Sequence, residues 1–221
     1  MTLSFGVKTV NTLKQELQRR LDVLEQYPIE QELAREGNLT ALLKIALKNE
    51  VEASEIAAYW LPTTSEIDIK LGFARQVGDE ARHYRLICEF LEKRGVSLED
   101  FNPLAEGHSP LFAALQGMSR TVERLAAGQF TREAIAIRRN EMFIRYLEKH
   151  GHMDMARIYR DQIQPDETHH HELGCQGLEQ LLKNDADVSA ARAAMERTLS
   201  IADEMKKAVQ KKSGLKTLPG C

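Results

Sequence analysis

The pattern Asp-Glu-x-x-His occurs twice in this chain, as Asp79-Glu80-Ala81-Arg82-His83 and as Asp166-Glu167-Thr168-His169-His170. On a helix, residues three apart share a face, so Glu80 with His83, like Glu167 with His170, can grip one ion together. A single such tetrapeptide carries little weight, because Glu and His are common. The second copy changes this because the register runs on past it. Leu86 corresponds to Leu173, Cys88 to Cys175, Leu91 to Leu178 and Glu92 to Glu179, each pair 87 positions apart. Two helices must therefore present the same carboxylate–imidazole pair, and the rest of the fold has to bring them together.

The surrounding sequence reads as helix. Residues 8–26 place Val10, Leu13, Leu17, Leu21 and Leu24 at three- and four-residue spacing. Pro28 ends that helix, and a short helical piece runs on to Leu33. Gly37-Asn38 supplies a break and an N-cap for a helix over about 39–60. Its stripe Leu43, Ala46, Leu47, Ala53, Ala57, Trp60 is apolar except for Glu50, a charge on a core face. Charges are seldom buried there unless paired or bound to metal. Glu52 and Glu55 fall with Lys48 on a more polar face and read as solvated. Thr64 or Ser65 caps the next helix, to about Arg94, where Glu80 interrupts the stripe Phe73, Val77, Tyr84, Ile87, Leu91.

The loop from Gly95 to Ser109 is long for a hairpin and long enough to cross a bundle from end to end. Ser109-Pro110 starts a third helix, reaching about His150 with a break near Gly128-Gln129 and a new cap at Thr131. Gly151 turns the chain into a fourth helix, about 153–183, which carries the second motif. A last helix, about 187–212, precedes a frayed tail. The order of hairpin, long crossover and hairpin predicts an all-α, ferritin-type four-helix bundle with extra N-terminal and C-terminal helices. The expected division is 1–38 as an N-terminal extension packed on the bundle, 39–183 as the bundle, and 184–221 as a C-terminal helix and flexible tail.

Thirty basic against 33 acidic residues give a net charge of −3, without the basic excess of a nucleic-acid binder. No apolar run reaches the ~18 residues of a membrane span, and no signal-peptide layout opens the chain. Cys88, Cys175 and Cys221 form no metal or redox spacing. A cytoplasmic protein without nucleic-acid or membrane partners is the expectation.

A two-metal carboxylate bundle needs a lone Glu from each of two helices and a Glu-x-x-His from each of the other two. The pairs are Glu80/His83 and Glu167/His170, and the lone ligand of the first hairpin is Glu50. The second hairpin offers Glu133 or Glu141. With the turn centred on Gly151, Glu133 and Glu167 differ in height by roughly 3 Å and Glu141 and Glu167 by roughly 9 Å, at 1.5 Å per residue. This favours Glu133, although Asn140-Glu141 repeats Asn49-Glu50. His169 and His171 point about 100° away from His170 on either side and read as surface residues.

These residues resemble the ferritin-like di-iron carboxylate superfamily over about residues 39–182. The resemblance implies a pair of metal ions, two irons or manganese with iron, that reacts with dioxygen. It implies that Asp79 and Asp166 each hydrogen-bond the ligand imidazole of the opposite pair, fixing its tautomer. The expected activity is an oxygen-dependent oxidoreductase, a monooxygenase or oxidase, acting on a small organic substrate and drawing electrons from a separate donor protein or from the substrate. A ferroxidase or iron-storage protein is the alternative, and a metal-free helical interaction module the second. Amphipathic end helices leave a homodimer open.

Overall fold

The computed structural model describes residues 3–24 and 37–213. The expected stop at Pro28, the helical piece to Leu33, Cys221 and the tail beyond residue 213 lie outside the described residues. Seven helices and no strand are present among the described ones. They are α1 (Phe5–Leu24), α2 (Gly37–Trp60), α3 (Ile67–Lys93), a short α4 (Pro110–Gln116), two compound helices, and α7 (Asp185–Ser213). In the first compound helix, α5, Thr121–Leu125 passes through a π-helical stretch, Ala126–Arg132, into Glu133–Lys149. In the second, α6, Met153–Ile158 passes through Tyr159–Ile163, again π-helical, into Gln164–Leu181.

Three local expectations are corrected. Helix α2 already begins at Gly37, so Asn38 lies inside it. Neither Thr64 nor Ser65 caps α3. Thr64 Oγ1 instead donates to Trp60 O at 2.9 Å, closing the preceding 3₁₀ turn, and Glu66 takes the cap position. The break in the third helix falls after Gln116, at Gly117, and not at Gly128-Gln129. At Gly128-Gln129 the helix widens without breaking, and Thr131 Oγ1 donates to Ala126 O, five residues back, at 2.6 Å. The hydroxyl thus spans the same five residues as the wider turn and adds a donor to one of its carbonyls.

The core has two apolar layers. One gathers Leu39–Leu47 side chains of α2, Ile87 to Leu91 of α3, Met142 to Leu147 of α5 and Met155 to Ile163 of α6. The other gathers Ile56 to Trp60, Ile69 and Phe73, Val122 to Ile135, and Cys175 to Leu182. Helices α2 and α6 therefore run from the first layer to the second, and α3 and α5 both run back. Since α3 and α5 point the same way, the segment joining them must travel the length of the bundle, which is the crossover the sequence implied. Side chains of α2 hold it down. Lys48 Nζ donates to Gly107 O at 2.6 Å, Glu55 Oε2 lies 2.6 Å from His108 Nε2, and Glu52 accepts from Ser109 N and Oγ at 2.6 and 2.5 Å. Ser109 in turn caps α4 by accepting from Phe112 N at 3.1 Å.

The terminal helices pack against α6 and the π-helical stretch of α5. Val10, Leu13, Leu17 and Leu21 of α1 share a layer with Ala191, Met195 and Leu199 of α7. Arg192 of α7 forks onto Glu16 of α1 through Nε and a terminal nitrogen at 3.0 and 3.2 Å. No helix among the described residues is long and apolar enough to cross a membrane.

Candidate metal centre

Between the two apolar layers, at mid-height of the bundle, four helices each turn a carboxylate inward. Glu50 comes from α2, Glu80 and His83 from α3, Glu133 from α5, and Glu167 and His170 from α6, and all six side chains are buried. Each stands where the helical period would otherwise place a core hydrophobe, which is why the fold closes over them.

The six form two overlapping sets whose donor atoms lie within 4.8 Å of one another: Glu50, Glu80, His83, Glu167 and Glu80, Glu133, Glu167, His170. Glu80 and Glu167 belong to both. His83 Nδ1 faces three carboxylates from three helices, Glu80 Oε2 at 3.1 Å, Glu50 Oε2 at 3.4 Å and Glu167 Oε1 at 3.9 Å. His170 Nδ1 faces Glu80 Oε1 and Glu167 Oε2, each at 3.5 Å. The far side of each ring meets an aspartate of the opposite pair: His83 Nε2 lies 3.1 Å from Asp166 Oδ2, and His170 Nε2 3.2 Å from Asp79 Oδ2. Glu141 is exposed and belongs to neither set.

Electrostatics divide the carboxylates into two kinds. Burial raises Glu50 to about 8, against the pull of His83. Burial and then the charge of Glu167 hold Glu133 well above the usual range. Burial would raise Glu80 and Glu167 too, but the neighbouring imidazoles hold both below the ordinary value. Burial works to lower the histidines, yet the carboxylates beside them push His83 up to about 12 and His170 up to about 11.

Several residues around this cluster were not singled out by the sequence. Gln76, one turn before Glu80 and buried, donates to Glu80 Oε1 at 3.0 Å and to Glu133 Oε1 at 2.9 Å, tying the two hairpins together. Gln129 donates to Gln76 Oε1 at 2.8 Å. A polar residue on the α3 stripe was the available signal for Gln76. Arg75 spans Asp79 Oδ2 at 3.2 Å and Asp166 Oδ1 at 3.5 Å, and Arg82 also pairs with Asp166. Glu52 is corrected from a solvated charge to a buried clamp on the crossover, because its partner Ser109 is distant in sequence. His171 is corrected from a surface position. It stacks on Phe130 with centroids 5.5 Å apart, and burial lowers its pKa. His169 is half-buried, and neither histidine joins the two sets. No protein-family model, no curated protein and no solved structure matches the chain, so its own geometry is what speaks for its chemistry.

Proposed function

We propose that the cluster holds two divalent transition-metal ions, two irons or manganese with iron, and that the chain is an oxygen-dependent oxidoreductase of the ferritin-like di-iron carboxylate kind acting on a small organic substrate. The observation that carries this reading is the sharing of Glu80 and Glu167 between two donor sets, each completed by one more Glu and one His. Glu50 and His83 would complete one site and Glu133 and His170 the other, with Glu80 and Glu167 reaching both.

The donors fit such ions. Carboxylate and imidazole suit iron and manganese, whereas structural zinc favours closed four-coordinate sets that are often rich in cysteine. Glu50 Oε1 and Glu133 Oε2 are buried without a hydrogen bond. Such atoms cost about 1–3 kcal/mol each, which coordination would remove. Iron held by these residues would supply electrons to dioxygen, and a separate donor protein or the substrate would replace them.

The chain's own residues do the rest. Asp79 and Asp166 accept from the imidazole Nε2–H groups and so direct each Nδ1 lone pair into the cluster. Gln76 orients Glu80 and Glu133 with one amide. The apolar layers above and below exclude bulk water.

The test is iron content per chain after anaerobic loading with Fe²⁺, followed by the absorption spectrum on mixing with air. The expected result is two irons and an oxygen-dependent visible band, abolished in Glu167→Ala and retained in the exposed variant Glu141→Ala. Fewer than one iron and no spectral change would leave a metal-free helical module. Elution at hundreds of kilodaltons would point instead to an iron-storage shell.

A further inference from the structure

A cavity of about 450 Å³ opens between α2, the crossover with α4, α5 and α7. That volume lies in the range of small-molecule sites, ~300–1,000 Å³. Its lining is two-sided. Ile56, Leu115 and Met205 contribute to an apolar wall, while Lys48, Arg132 and Arg139 bring three cationic side chains to the same space. Two carboxylates also line it. Glu52 has both oxygens engaged by Ser109, and Glu106 is exposed on the crossover. Lys48 is already held by Gly107 O and by Glu52 at 3.9 Å, so the guanidinium groups of Arg132 and Arg139 are what give this side of the cavity its character.

Arg132 is the most informative of these. It is buried at 6 % exposure, since its π-helical turn sets it inside the protein, where a guanidinium is costly to place without a role. One terminal nitrogen donates to Asn49 O at 3.2 Å, and the other stands 3.7 Å from Glu133 Oε1. It therefore reaches from the cavity lining to the cluster. Asn49 and Arg132 are also the chain neighbours of Glu50 and Glu133, so the cavity and the cluster share two turns of backbone.

We infer that this cavity binds a small organic anion, its carboxylate directed to the Arg132 and Arg139 side and its apolar body against Leu115 and Met205. Its being the substrate class of the metal centre rests on the function proposed above; the binding of the anion does not. A planar carboxylate suits a guanidinium, which can donate two parallel hydrogen bonds. Binding energy then comes from the charged contact for orientation and from the apolar wall for affinity.

The experiment is calorimetric titration of the full chain, metal-free and Fe²⁺-loaded under anaerobic conditions, with 4-phenylbutyrate and with the neutral 4-phenylbutan-1-ol. The expected result is 1:1 binding of the carboxylate in both states, about ten-fold or more tighter than the alcohol, the worth of one charge-assisted contact. Met205→Trp, which fills the cavity from a half-buried position, should abolish binding, and Arg139→Gln should weaken it by about the same ten-fold. Thermal melts of both variants check that they fold. Absence of binding, equal affinity for the alcohol, or binding unchanged in both variants overturns the inference. Anion binding by a chain that takes up no iron upholds the cavity and sinks the oxidoreductase. Iron uptake without anion binding overturns the cavity alone.

Discussion

Helices α2 and α3, the first hairpin, are regular α-helix throughout, whereas both helices of the second widen into π-helix shortly before their cluster residues. Ala126–Arg132 runs directly into Glu133, and Tyr159–Ile163 ends four residues before Glu167. The motifs are alike, but their frames are not. What the π turns add is contact with the first hairpin. Gln129 reaches Gln76 of α3, Arg132 reaches the Asn49 carbonyl of α2, and Gln162 accepts from Arg82 of α3 at 3.4 Å. A wider turn offsets the following residues relative to a plain α-helix, and here it frees polar side chains to bind across the bundle. The first hairpin is the regular half, and the second is the one whose backbone departs from the α-helix to meet it.

The largest expected effect comes from separating what the two hairpins share from what they do not. Under the proposed assignment Glu80 and Glu167 serve both ions, so Glu80→Gln or Glu167→Gln should drop iron content from two per chain to none retained after desalting. Glu50→Gln and Glu133→Gln should each cost one ion. Equal loss from all four variants would break the distinction between shared and unshared carboxylates. One ion lost from Glu50→Gln but two from Glu133→Gln would instead show that the π-framed half organises the site.

Next in size is the response to pH. In the metal-free chain, raised Glu50 and Glu133 hold protons near neutrality, Glu80 and Glu167 are ionised, and both imidazoles are charged. The sum is +2 from imidazolium and −2 from carboxylate, which is zero. With two divalent ions, four carboxylates and neutral imidazoles, the sum is +4 and −4, again zero. Loading therefore exchanges four protons for two ions, and metal affinity should rise with pH over about pH 6–8. Glu50, His83 and His170 all have folded values above their ordinary ones, so the metal-free fold binds more protons than the unfolded chain. Its stability should fall as pH rises from the ordinary carboxyl range through about 8, as Glu50 ionises, and on towards about 11–12, as the two imidazoles lose their protons. An indicator dye in weak buffer counts the protons directly. Release of fewer than two per pair of ions would contradict the exchange.

The inner residues were legible because a charge on an apolar helical stripe is visible in the periodicity of α2 and α3 alone. Glu133 was harder. Distance from Gly151 favoured it over Glu141, but only the packed helix shows Asn140 buried and Glu141 turned out to solvent. The π stretches had no such signature, since 3.6-residue patterning does not distinguish a wide turn from a break, and Gly128-Gln129 invited the latter. Glu52 was misread for a different reason. Its environment is made by a residue 57 positions away that only the folded crossover delivers.

The smallest expected effect tests whether the π-helical frame is as constrained as its contacts suggest. Gly174 of α6 lies against the π stretch of α5: a Cβ there would stand 2.6 Å from Phe130 N and 2.7 Å from Gln129 C, both backbone atoms that cannot rotate aside. In the first hairpin, a Cβ on Gly72 would meet the end of the half-buried Leu173 side chain, which can swing to another rotamer. Gly174→Ala should therefore destabilise the chain by about 1–3 kcal/mol through overpacking, even after the gain in helix propensity. Gly72→Ala should change stability by less than about 1 kcal/mol, because that gain offsets the rotamer change. Urea denaturation of the two metal-free variants beside the parent measures both. Gly174→Ala should also loosen the Gln129–Gln76 contact and so lower iron retention, which Gly72→Ala should leave intact. Equal costs would mean that the π stretch yields as readily as a leucine side chain, and the second hairpin would then be the pliable half of the bundle rather than a fitted one.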